Sequence, residues 1–174
     1  MEKLQIIKYG QPALHKPSRE IKDINREIVE LARNMVETMY TAPGIGLAAP
    51  QVNRGLRLIT VDLTAGEKKN QLFILINPVI LDKDGEDVSE EACLSVPGVQ
   101  EKVNRPFRVI LKGLNLQGQE KIIEAEDLLA RVFCHEIDHL NGILFIDHLS
   151  PLKRSLLRKK LKKELIDNEN RFSG

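Results

Sequence analysis

His135-Glu136-Ile137-Asp138-His139, closing on Leu140-Asn141-Gly142, is the stretch that decides how this chain folds and what it holds. Residues four apart on a helix differ by about 40° in direction, so both imidazoles project from one face. Two neutral imidazoles at that spacing suit a divalent transition metal, and the carboxylate between them can handle protons beside a water on that metal. Glu136 falls on the side of His139, while Cys134 turns away from the pair. The same pentapeptide also occurs by accident in unrelated chains, as an ordinary helix with two surface histidines. Its surroundings decide between the two.

Outward from the motif, the helix is expected between Glu124 and Gly142. Asp127, Arg131, Cys134 and Asp138 recur at i, i+4, i+7 and i+11 as one narrow polar stripe. Most of the rest is apolar: Leu128, Leu129, Val132, Phe133, Ile137 and Leu140. His135 and His139 share a face with Leu128 and Val132, which predicts that they point inward. Buried polar groups need partners, and a metal satisfies two imidazoles at once. Gly142 stands where a left-handed residue ends a helix. The pattern predicts a central helix, buried on most sides.

Two histidines leave a catalytic metal one protein ligand short, and several metallopeptidase classes share the HExxH signature. One class needs a histidine three residues after Gly142, where this chain has Phe145. A second needs a downstream glutamate, and Glu164 and Glu169 both lie in a polar, lysine-rich tail. The remaining candidate is upstream: Cys93, in Glu91-Ala92-Cys93-Leu94-Ser95. Cys93 as thiolate, with His135 and His139, would leave one position for water, and Glu136 would take that water's proton.

Three blocks in order now resemble the peptide deformylase family over nearly the whole chain. Gly44-Ile45-Gly46-Leu47-Ala48-Ala49-Pro50-Gln51 is similar to the family's GxGxAAPQ loop. The Cys93 block is similar to EGCLS, and Cys134 to Leu140 to QHExDHL. Ala92 stands where the family usually has glycine, which could tighten the backbone beside the metal. Cys134 stands where glutamine often precedes the first histidine; on the polar stripe, it is expected to do little damage.

The resemblance implies an α+β fold in which small antiparallel sheets surround the metal-bearing helix, with a C-terminal helix beyond. It implies hydrolysis of the formyl group from the N-terminal formyl-methionine of newly made polypeptides, giving formate and a free amino terminus. It assigns the oxyanion donors to the Gln51 side chain and the Leu94 backbone N–H. Gly46 offers backbone to the substrate, and Ile45 helps line an apolar pocket for methionine. Iron(II) is the implied metal, although one thiolate and two imidazoles also accept zinc, nickel or cobalt.

Gly44-x-Gly46-x-x-Ala49 also fits a dinucleotide-binding pattern, which needs a strand before it and a helix after it. Instead Ile28, Leu31, Ala32, Met35, Val36 and Met39 recur at helical spacing before it. Pro50 then opposes a helix through the loop. Nucleotide binding is not expected.

The chain has 174 residues, expected to form one domain spanning 1–174 with a real core. Lys and Arg number 26 against 25 Asp and Glu, which implies no global affinity for polyanions. No apolar run is long enough to cross a membrane. Met1-Glu2-Lys3-Leu4-Gln5-Ile6-Ile7 lacks the long apolar core of a secretory signal. Two cysteines without such a signal point to the reducing cytoplasm, and a Cys93–Cys134 disulfide is not expected.

A first helix over Ile28 to Tyr40 should start near Asn25 as N-cap, with Ile24 and Val29 placed as a hydrophobic staple. Strands are expected over Leu56–Leu63, over Leu72–Ile76 with an end at Asn77-Pro78, and around Val109–Leu111 and Ile122–Ile123. The last two flank the turn-like Asn115-Leu116-Gln117-Gly118. Ser150-Pro151 is a helix start. Beyond it Leu157, Leu161 and Leu165 form a stripe, with Leu156 and Ile166 off it, among Lys153, Arg154, Arg158, Lys159, Lys160, Lys162 and Lys163. The expectation is a docked helix with a solvated basic face. Contact with ribosomal RNA phosphates is the second reading, which the resemblance supports.

Two other function classes fit parts of the pattern. A small metallopeptidase would share the HExxH helix without needing Cys93. A non-enzymatic, ribosome-associated protein would close its metal with a fourth side chain. Each candidate also has a plainer role: Gln51 closing a loop, Cys93 as a small core residue. Glu91 is expected to be structural, with Arg105 as its ion-pair partner, while His15, His148 and Cys134 are given no function.

Overall fold

The computed structural model describes residues 3–172, with side chains through Ile166. The side chain of Glu169, one of the alternative ligands, and the residues Met1 and Glu2 lie outside what is described. The order is helix α1 (Arg26–Thr41), strands β1 (Gly46–Ala48), β2 (Leu58–Val61), β3 (Phe73–Asp84), β4 (Asp87–Cys93), β5 (Val96–Arg105), β6 (Arg108–Leu114) and β7 (Glu120–Glu126), then helices α2 (Asp127–Leu140) and α3 (Pro151–Phe172). No helix among the described residues is long and apolar enough to cross a membrane.

Five strands form an antiparallel sheet in the order β1-β2-β3-β6-β7, and β4 and β5 form a separate ribbon. The expected α+β class with small antiparallel sheets is what the chain forms. Asn25 caps α1, its side chain accepting the Ile28 N–H at 3.1 Å. Ala32, Met35 and Met39 then bury the helix face in a cluster with Leu47, Leu58 and Ile76 from β1, β2 and β3.

The third strand corrects the sequence reading, because it runs past Asn77-Pro78 to Asp84. Proline cannot donate a ladder bond, and the register shift between Ile76 and Val79 absorbs it as a bulge. Asn77 takes a left-handed φ of 51° there. Its side chain accepts from Ile21 N at 2.9 Å and donates to Ile21 O at 2.8 Å, so the kink is held from outside the sheet.

Helix α2 lies against the large sheet. Phe133, Ile137 and Leu140 share a buried cluster with Ile59, Val61, Leu75, Val109 and Leu111. Each such side chain contributes roughly 1.5–3 kcal/mol by leaving water. The expected polar stripe is not a solvated edge: Arg131 and Cys134 are each only 4% exposed. Cys134 packs within the same cluster and is a core residue. The glutamine-to-cysteine departure therefore falls in packed interior, and burial pushes the thiol pKa up.

Helix α3 docks through its leucine stripe, as predicted. Leu161 is 4% exposed and joins Val96, Val99, Val103 and Phe145, with Leu157 partly buried beside it. Leu156 and Ile166 are exposed. Glu164 is also exposed on α3, facing Lys160 at 4.0 Å, so it is no metal ligand.

Candidate metal centre

Strand β4 alternates its faces, which puts Asp87, Ser89, Glu91 and Cys93 on one side. The hairpin to β5 turns immediately afterwards, pairing Cys93 with Val96. Cys93 is thereby carried against α2, where its Sγ lies 3.3 Å from His139 Nε2. One donor atom each from Cys93, His135 and His139 lies within 4.8 Å of the others, and all three residues are buried. Both cysteines are free thiols.

One sulfur and two imidazole nitrogens in a buried triangle fit a divalent transition metal and leave a coordination position over. Glu136 adds to the fit. It is 3% exposed, and its Oε2 has no hydrogen-bond partner among the described residues. Burial pushes its pKa up to about 7, against the pull of His135. A dication nearby would draw that carboxyl back toward ionisation.

The two histidines differ electrostatically. Burial disfavours a charged His135, but its hydrogen bonds to Cys93 and Glu91 outweigh this and hold its pKa well above the ordinary value. His139 is held well below, by burial and then by repulsion from His135. Glu91 bonds His135 Nδ1 at 2.9 Å, which fixes the ring and leaves Nε2 for the centre. Despite its burial, the His135 and Arg105 hydrogen bonds bring Glu91 down to about 2. Arg105 meets both carboxylate oxygens, at 2.8 and 3.0 Å, as its sequence pairing suggested.

Gln51 sits in a 3-10 turn, Ala49–Val52, that Pro50 initiates. Its Oε1 accepts the Ala48 N–H at 2.8 Å, which turns Nε2 toward Cys93 Sγ at 3.5 Å and Ser95 Oγ at 3.3 Å. The amide donor is thus aimed at the centre by its own loop. Leu94 and Ile45 line a cavity of about 440 Å³, together with Gly46, Leu128, Val132 and Glu136. A Cβ on Gly46 would stand 2.3 Å from Glu136 Oε1, so this glycine admits the carboxylate as well as offering backbone to the cavity.

Cys93, His135, His139, Glu136, Gln51, Leu94, Gly46 and Ile45 are all brought to this one place. Several partners were not anticipated there. Arg131 is buried against Glu91 and Asp87. Asp138 meets Arg105 at 2.5 Å and His148 at 2.7 Å, so His148 does have partners. A signal for Arg131 existed, since it precedes His135 by four and shares its face; polarity alone suggested solvent.

The polypeptide deformylase family model matches residues 3–155. The chain is 54% identical over 159 residues to the peptide deformylase of Thermodesulfovibrio yellowstonii, covering 91% of this chain and 96% of that one. It is 45% identical over 164 residues to that of Pseudoalteromonas translucida, covering 94% and 97%. The crystal structure of a peptide deformylase from Legionella pneumophila superposes with a TM-score of 0.88 at 39% identity, covering 97% of this chain and 98% of that one.

Proposed function

The chain belongs to the polypeptide deformylase family, and from that membership we propose how its own residues divide the work. The reaction is hydrolytic removal of the N-formyl group from nascent polypeptides, and the enzyme is metal-dependent as its family is. Cys93, His135 and His139 hold the metal, which we take to be iron(II) natively, with zinc, nickel or cobalt as substitutes. When bound, such an ion supplies Lewis-acid chemistry, lowering the pKa of a water and polarising a carbonyl.

The protein's part is positioning and proton transfer. Glu136 accepts the proton of the attacking water and returns it to the departing nitrogen as the formyl C–N bond breaks. Its burial beside the ligands is the observation that carries this role. Gln51 Nε2 and the Leu94 N–H donate to the oxygen that gains negative charge. Formate and a free amine result.

Substrate backbone has two strand edges to use. β1 is the outer strand of the large sheet, and β4 pairs only with β5. The cavity is lined by both Gly44–Gly46 and Glu90–Leu94, so an extended peptide can bond between these edges. Ala92 keeps the N–H that the family's usual glycine would offer there. Ile45, Leu128 and Val132 form the apolar wall for a methionine side chain. The enzyme acts in the cytoplasm, where formylated chains emerge, and the basic side of α3 is the face offered to ribosomal RNA.

Formate release from formyl-Met-Ala-Ser by iron(II)-loaded protein, kept from oxygen, tests the reading. Glu136→Ala should lose about 10²- to 10⁴-fold in rate while retaining its metal. Formate at the wild-type rate from that variant would remove Glu136 from the proposal. No formate from the wild type would remove the activity.

A further inference from the structure

We infer that Arg131 is a positioning residue for the metal centre: its guanidinium pins the ribbon that carries Cys93 onto the helix that carries His135 and His139. The inference rests on Cys93, His135 and His139 being the ligands. Those ligands come from two separately built pieces, the β4–β5 ribbon and α2, and the ribbon is no part of the large sheet. Something must hold the thiol at a fixed distance from the imidazoles.

Arg131 stands one helical turn before His135 and on the same face. Its side chain is 5% exposed, and its hydrogen bonds all go to the ribbon. Nη2 donates to Asp87 O at 2.7 Å and Asp87 Oδ2 at 2.6 Å. Nη1 donates to Glu91 Oε1 at 2.8 Å, Val103 O at 2.9 Å and Ser89 O at 3.4 Å. Both strands of the ribbon are thereby gripped, with the same side of β4 held at 87 and 91, two residues short of Cys93.

Glu91 ties this grip to the ligands. One of its oxygens takes Arg131 and the other takes His135 Nδ1. The carboxylate is therefore fixed between a ligand of the helix and the clamp, on the strand that delivers the thiol. Arg105 makes the reciprocal tie from β5 to Asp138 of α2. A planar fork with several donors is suited to this task, whereas a lysine reaches fewer acceptors at once.

Cobalt(II) binding separates positioning from mere stability. The wild type, stripped and reloaded with cobalt(II), should show the thiolate-to-cobalt charge-transfer band; its absence would overturn Cys93 as a ligand, and this inference with it. With the band present, Arg131→Met should bind cobalt(II) about ten- to a hundredfold more weakly, with an altered band and unchanged far-ultraviolet circular dichroism. Arg131→Lys should recover part of both. Cobalt(II) affinity and band at wild-type values in a folded Arg131→Met protein, with only thermal stability lost, would overturn the clamp while leaving the ligand set intact. If Arg131→Met is insoluble, Asp87→Ala, which removes the carboxylate that Nη2 grips, is judged by the same two readouts.

Discussion

Glu136 is a carboxyl in an interior that resists its charge, and its chemistry is bound up with that conflict. Burial lifts its pKa to about 7 in the metal-free protein, against an ordinary value of 4.5. The folded state then binds more protons than the unfolded one between those values, so stability falls as pH rises from about 4.5 through about 7. Glu136→Gln keeps the shape and removes the charge. Metal-free Glu136→Gln should therefore be more stable than metal-free wild type at pH 8, by roughly 1–3 kcal/mol. Near pH 4 the two should converge. Urea unfolding at both values checks this, and equal stability at pH 8 would mean that the buried carboxylate is solvated after all. Gly46 belongs to the same local problem, since any side chain there would enter the space of Glu136.

At the scale of elements, the end of α2 decides where the ligands stop and the next segment begins. Gly142 has a φ of 74°, and a Cβ there would lie 2.8 Å from the carbonyl carbon of His15. Gly98, in β5, has a similar φ of 73° but nothing within 4 Å. Gly98→Ala should cost about 1–2 kcal/mol, for left-handed backbone alone. Gly142→Ala should cost measurably more, because the backbone at His15 must also shift. Denaturant midpoints of the two variants give the difference. Equal costs would show that the N-terminal segment yields freely at the helix end.

For the molecule as a whole, α3 is a separate helix fastened to the ribbon by a leucine stripe. Leu161 is 4% exposed and Leu156 58% exposed. Leu161→Ala should destabilise the protein by about 2–4 kcal/mol, and Leu156→Ala by no more than about 0.5 kcal/mol. Thermal unfolding distinguishes them, and a small loss at Leu161 would mean that α3 contributes little to the folded body. The docking leaves Lys159, Lys160, Lys162 and Lys163 exposed, which is what a contact with phosphates would require.

Local rules were enough for much of this. The i, i+4 histidines, the Asn25 cap, the leucine stripe of α3 and the strand runs around Val109 and Ile122 depend on periodicity or a neighbour a few residues away, and all are legible in the sequence. Glu91 paired with Arg105 was legible as complementary charge. The fold alone decided the rest. Strand β3 continues through Asn77-Pro78 because Ile21, 56 residues away, holds the bulge. Arg131, Asp138 and Cys134 read as one edge of a helix, and polarity suggested water. They are enclosed because a ribbon and a sheet cover that edge, and the arginine's partners lie 28 to 44 residues away in the chain. Which residues are polar is written locally; whether their partner is water or a distant carboxylate depends on which surfaces the folded chain brings together.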